Sequence, residues 1–160
     1  MVRREFAFTA RTRRPPRDPV NALLSFGYAL LTTEIVGALE SHGLDPGAGL
    51  LHSVEYGRPA LALDILEEFR PVVGDRIALN LVNNGILNAT HFETDDEGGV
   101  RLTEEGRARY IATYHRILTN TVAVRGSDER LSFRTALRTQ AARMRGAIAG
   151  NERYNPYTPG

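Results

Sequence analysis

The chain contains no cysteine and no lysine. Without cysteine it can form neither a disulfide nor a thiolate metal site, which is compatible with a reducing cytoplasm. All twenty basic residues are arginine. GC-rich codon usage accounts for that bias, yet each arginine still offers a planar fork that can hold a phosphate at two points. The N-terminal residues include no apolar stretch long enough for a secretory core segment. The longest uncharged apolar run, Asn21 to Thr33, is too short for a bilayer and is broken by Asn21 and Ser25. These absences predict a soluble, cytoplasmic protein with no membrane partner. There is also no P-loop, HExxH, GxSxG or dinucleotide fingerprint, no internal repeat and no low-complexity segment.

The 160 residues suit one domain with a real core, and 42% hydrophobic with 24% charged residues suits a globular chain. The formal net charge of +1 conceals an asymmetry. Residues 1–17 carry a net +5, residues 18–100 a net −10 and residues 101–160 a net +6. Basic ends around an acidic middle suggest a metal site flanked by anion-binding surface.

The pattern predicts a mainly α fold with one small β-hairpin. Residues 1–17 read as a basic arm, extended by Pro15 and Pro16. Asp18-Pro19 is a helix start, and Val20, Leu23, Leu24, Gly27, Leu31, Ile35 and Ala38 recur at helical spacing, giving a first helix over Pro19–His42 that Gly43 ends. A glycine-rich loop to Pro59 precedes a short helix over Ala60–Phe69. Arg70-Pro71 ends or kinks it, and a third helix runs over Pro71–Asn84. Asp95 to Gly99 is a turn between two short strands. Thr103 caps a helix running to Leu118. The last helix spans Ser132–Ala149, with Phe133, Leu137, Met144 and Ile148 as its apolar stripe. Residues 18–150 thus form one helical domain, and residues 151–160 an irregular tail.

Chemistry concentrates around His52, Asp64, Glu67 and Glu68. Asp64 and Glu67, three residues apart on the short helix, share a face, and Glu68 can join them. Neighbouring carboxylates repel unless something positive lies between them. One imidazole and two carboxylates suit Mg²⁺ or Mn²⁺. By pattern alone the plainer reading is a solvated acidic face, since this spacing is far less specific than paired CxxC motifs. For Arg58 and Arg70, phosphate binding competes with salt bridges to the same acids. For Arg13, Arg14 and Arg17, anion binding competes with a solvated arm. His91 and His115 read as structural or surface residues.

Longer motifs weigh against the plainer reading. The segment Arg14-Pro15-Pro16-Arg17-Asp18-Pro19-Val20-Asn21-Ala22-Leu23-Leu24-Ser25-Phe26-Gly27-Tyr28 resembles the opening of the helical, C-terminal part of the CRISPR adaptation integrase. Gly43-Leu44-Asp45-Pro46, Leu51-His52, Gly57-Arg58-Pro59, Leu63-Asp64-Ile65-Leu66-Glu67-Glu68-Phe69-Arg70-Pro71 and Leu102-Thr103-Glu104-Glu105-Gly106 follow in that family's order. The resemblance covers nearly the whole chain from Phe6.

The resemblance implies a metal-dependent DNA endonuclease and integrase that inserts new spacers into the CRISPR array by phosphodiester transfer. It makes His52 and Glu67 metal ligands and Asp64 a ligand or a hydrogen-bond acceptor behind them, with Mg²⁺ or Mn²⁺ as cofactor. Arg58, Arg70, Arg13, Arg14 and Arg17 would contact DNA. The implied partners are double-stranded DNA, a second copy of the chain and the small second adaptation protein. The family's further Glu ligand belongs to a Glu-Gly-x-Ala-Ala-Arg motif upstream of Arg14–Arg17. That motif is not in this chain, nor is the family's N-terminal β-domain. The alternative is therefore a catalytically incomplete DNA-binding or assembly module of the same fold.

Overall fold

A computed structural model describes residues 6, 8–48, 59–123 and 130–158. Five α-helices and two short antiparallel hairpins appear in it: α1 Pro19–Ser41, α2 Ala60–Phe69, α3 Arg76–Asn83, β1 Phe92–Thr94, β2 Val100–Leu102, α4 Glu104–Thr119, β3 Thr121–Ala123, β4 Arg130–Ser132 and α5 Phe133–Ile148. The mainly α expectation holds. The chain resolves into two compact units, residues 1–29 with 74–117 and residues 30–73 with 118–160.

In the first unit, α1 begins where the sequence places it. Asp18 caps it, its Oδ1 accepting from Asn21 N at 2.8 Å. Asn21 is fully buried and ties the preceding residues to the helix. Its Oδ1 accepts from Arg11 Nη1 and Thr12 N, and its Nδ2 donates to Ala10 O. Residues 8–17 contain no regular secondary structure but lie strapped to α1 by these bonds.

The first hairpin is the expected one. It pairs Phe92 with Leu102 and Thr94 with Val100. Its turn is closed by Asp95 Oδ1, which accepts from Gly99 N at 2.6 Å, and by Gly98 at φ +75°. Thr103 Oγ1 accepts from Gly106 N at 3.1 Å and so caps α4. Tyr110 on α4 is wholly buried, with the ring of Phe26 edge-on at 5.0 Å.

In the second unit, the second half of α1 buries Leu31, Ile35, Ala38 and Leu39. Among the described residues α1 alone is long and apolar enough, by length and composition, to cross a membrane. Its burial here, and the ion pair of its Glu34 with Arg134 of α5 at 2.9 Å, are those of a core helix. α2 starts under the Asp45-Pro46 turn: Pro46 O accepts from Leu61 N at 2.9 Å, satisfying one of the amides a helix start leaves open. Leu61, Ile65, Leu66 and Phe69 of α2 and Phe133, Ala136, Leu137, Ala141 and Met144 of α5 are buried.

Three expectations need correction. The α-helix α2 ends at Phe69 as expected, but the third helix does not begin at Pro71. The backbone widens into a π-helical stretch at Arg70–Asp75 and resumes as α3 at Arg76, not at Pro71. A wider turn accommodates a residue that has no N–H and whose ring crowds the carbonyl four residues back. The second hairpin, Thr121–Ala123 with Arg130–Ser132, was not expected at all. Ile148 does not complete the apolar stripe of α5; at 50% exposed it sits on the helix's last turn, just before Gly150 at φ +74° ends it.

Candidate metal centre

α2 carries the acids. Its apolar residues face inward, which leaves Asp64, Glu67 and Glu68 at the boundary between core and solvent. Asp64 is only 6% exposed. One turn later the Glu67 side chain is 54% exposed, and Arg70 holds it in a fork, with Nη1 donating to Oε1 at 2.6 Å and to Oε2 at 2.8 Å. That is the salt bridge weighed above as the competitor to phosphate binding by Arg70.

Glu68 is occupied differently. Its Oε1 accepts from Tyr154 Oη at 2.5 Å, and its Oε2 from Gln140 Nε2 at 2.9 Å and Tyr157 N at 2.7 Å. The chain reaches it by turning back after Gly150, with Glu152 packed against Gly146, where a Cβ would lie 2.1 Å from the Glu152 carboxylate. Tyr157 then stacks on Phe69, ring centres 4.6 Å apart and planes at 16°. Burial and the bond to Glu68 push the Tyr154 hydroxyl far above the usual tyrosine range, so it stays a donor.

The three acids line a cavity of about 460 Å³ together with Met144, Tyr154, Pro156 and Tyr157. No local sequence signal marks Tyr154, Pro156 or Tyr157, because residues 151–158 have no period to read. His52 and Arg58 lie outside the described residues. Among the described residues no group of three or more His, Asp or Glu is close enough to hold an ion.

The other singled-out residues fall as follows. Arg13 and Arg14 are exposed. Arg17 is exposed too, though its Nη1 donates to Glu97 O at 2.6 Å. His91 is buried and structural. Its Nδ1 lies 3.1 Å from Asn88 N and 2.8 Å from Asn88 Oδ1, and its Nε2 lies 3.7 Å from Glu105.

Fold and cavity together define a mainly helical protein with acidic oxygen donors gathered on one short helix. The family described as CRISPR associated protein Cas1 matches residues 1–116. The chain is 44% identical over 156 residues to the CRISPR-associated endonuclease Cas1 1 of Thermus thermophilus, a match covering 95% of this chain and 48% of that protein. A solved structure of a partial Cas6-RT-Cas1–Cas2 complex matches with a TM-score of 0.79 at 29% identity, over 98% of this chain and 47% of the other. A casposase bound to its integration product shares the fold, with a TM-score of 0.85 at 24% identity over 94% of this chain and 45% of the other. The chain belongs to the Cas1 family, and what it resembles there is the C-terminal, helical part. It spans about half the length of the curated relatives it matches.

Proposed function

We propose that this chain is the metal-binding part of a CRISPR adaptation integrase, a cytoplasmic endonuclease that inserts new spacers by phosphodiester transfer on double-stranded DNA. The observation that carries the reading is the pair Asp64 and Glu67, one helical turn apart at one cavity, in a chain whose relatives are named Cas1 endonucleases.

The donor set fits a hard divalent ion. Mg²⁺ and Mn²⁺ take carboxylate oxygens, and two carboxylates on one face repel until a cation lies between them. Asp64, already buried, is the fixed donor. Glu67 has to leave Arg70, and an exposed ion pair of this kind contributes only about 0–1 kcal/mol, so the exchange is inexpensive. His52 supplies the imidazole that the family resemblance assigns. Bound there, Mg²⁺ or Mn²⁺ offsets the charge that builds on the scissile phosphate. Arg70, released from Glu67, offers its fork to a phosphate oxygen, as does Arg58. Arg13, Arg14 and Arg17 contact the DNA backbone. A second copy of the chain and the small second adaptation protein complete the assembly. One solved relative is named as a Cas1–Cas2 complex, and the casposase as bound to an integration product.

The test joins a binding readout to a chemical one. Millimolar Mn²⁺ raises the melting temperature, because a ligand at 100 times its Kd stabilises by about 2.7 kcal/mol. The His52→Ala and Asp64→Ala variants lose that rise. Strand transfer of a DNA 3′-hydroxyl end depends on Mn²⁺ and disappears in the same variants. An unchanged melting temperature sinks the metal reading. A melting shift without strand transfer, alongside duplex binding that weakens steeply with salt, establishes the non-catalytic module instead.

A further inference from the structure

Glu68 is the acid of this face that local spacing leaves unassigned. Four residues after Asp64 it lies on the same side of α2 and at the same cavity. Both of its oxygens nevertheless point to the protein. Oε1 takes the Tyr154 hydroxyl, and Oε2 takes the Gln140 amide and the Tyr157 backbone N–H.

Gln140 is 1% exposed and has no neighbour to spare. Its Nε2 lies within 3.2 Å of Tyr154 Oη and 3.1 Å of Asn155 O as well, and its Oε1 accepts from Arg143 at 3.1 Å. A carboxylate with three donors, beside a buried amide that reaches the same segment, is a saturated network. Opening it strands a charged group, which costs more than losing a single neutral hydrogen bond.

The segment held this way is residues 154–157. Three of its side chains, Tyr154, Pro156 and Tyr157, line the same cavity as Asp64 and Glu67, and Tyr157 is set further by its stacking on Phe69.

We infer that Glu68 is a positioning residue and not a metal ligand: it clasps the segment 154–157 onto α2, so that two tyrosines and a proline wall the space beside Asp64 and Glu67. Where the wall borders DNA, the inference rests on the function proposed above. The clasp itself does not.

On the proposed function, an unpaired nucleotide of the substrate would meet this aromatic wall beside Asp64 and Glu67. Tyrosine rings are the surface on which an unpaired base stacks. The carboxylate four residues from Asp64 thus holds the wall and leaves ion binding to its neighbours.

Glu68→Gln tests this with almost no change of shape. It replaces one acceptor oxygen by an NH₂ that faces donors. Tyr154→Phe removes a single donor and is the milder second variant. Hydrogen exchange of the Tyr157 amide, read in the peptide after Arg153, is expected to quicken roughly tenfold in Glu68→Gln and less in Tyr154→Phe. The Mn²⁺ concentration at half-maximal melting shift is expected to stay within about twofold of wild type. Affinity for a duplex with a 3′ single-stranded overhang is expected to fall roughly fivefold, the loss of about one stacked base.

Unchanged exchange at Tyr157 overturns the clasp. A Mn²⁺ midpoint moved about tenfold makes Glu68 a ligand and overturns the assignment. Unchanged overhang affinity overturns the positioning role. Asp64→Asn run in parallel separates the two ideas: if neither it nor the wild type responds to Mn²⁺, the proposed function fails, while the exchange rate still decides the clasp.

Discussion

Gly27 and Tyr110 make a stability experiment with a sign change built in. Gly27 lies inside α1, where glycine costs roughly 0.5–1 kcal/mol relative to alanine. A Cβ at this position would stand 2.1 Å from Tyr110 Oη and 3.3 Å from its Cζ. The ring cannot step back, since Tyr110 is 0% exposed and Phe26 packs edge-on against it. Its hydroxyl has no hydrogen-bond partner among the described residues, and burial raises its pKa well beyond the ordinary tyrosine range. Gly27→Ala is therefore expected to destabilise by about 1–3 kcal/mol through overpacking. Tyr110→Phe removes an unsatisfied buried hydroxyl and is expected to stabilise by about 1 kcal/mol. In the Phe background the added methyl meets only the ring carbon at 3.3 Å, and the helix preference for alanine then brings Gly27→Ala to neutral or slightly stabilising. The coupling between the two sites is expected to be about 2 kcal/mol. Urea unfolding of the four proteins at one temperature measures it. If Gly27→Ala costs the same in both backgrounds to within about 0.5 kcal/mol, the contact argument is wrong. If Tyr110→Phe is clearly destabilising, the hydroxyl has a partner.

Three further outcomes follow from surface charges. Glu105 is hydrogen-bonded by Arg109, and that bond, followed by the guanidinium's charge, holds its pKa below the ordinary 4.5. A depressed carboxylate contributes stability above the unfolded value and loses it as pH falls through the folded one, so the effect belongs below pH 4.5. Its carboxyl ¹³C titration should have a midpoint below 4.5 that moves back up in Arg109→Gln; equal midpoints would refute the pair. Glu67→Ala should change stability by no more than about 1 kcal/mol in thermal unfolding, because the Glu67 side chain that bridges Arg70 is 54% exposed; a loss of several would mean that the bridge is structural. Replacing both Arg13 and Arg14 by alanine should lower the slope of log affinity for duplex DNA against log salt by about 2 and weaken all sequences alike, and an unchanged slope would take these arginines off the backbone.

Local signals carry the helices of this chain. Asp18-Pro19, Gly43, Thr103 and Gly150 punctuate it by satisfying or breaking backbone geometry within a few residues, so α1, α4 and α5 stand where their caps and periods place them. Pro71 marks the end of α2 correctly but not the start of α3, because the chain widens into a π-helical stretch before α3 begins at Arg76. The pairing of β3 with β4 has no comparable cue, since three-residue strands carry too short an alternation to read. The acids divide along the same line. Sharing of a face by Asp64 and Glu67 is a property of three-residue spacing on a helix, and it follows once Ala60–Phe69 is helical. Two of the three partners of Glu68 lie 86 and 89 residues further along, in a segment with neither period nor cap, and the third, Gln140, lies 72 residues along on α5. Spacing gives Glu68 the same face as the ligand candidates, and only tertiary structure shows that its oxygens are already taken. A short run of acids thus tells which carboxylates are neighbours; what each one holds depends on the chain that returns to cover it.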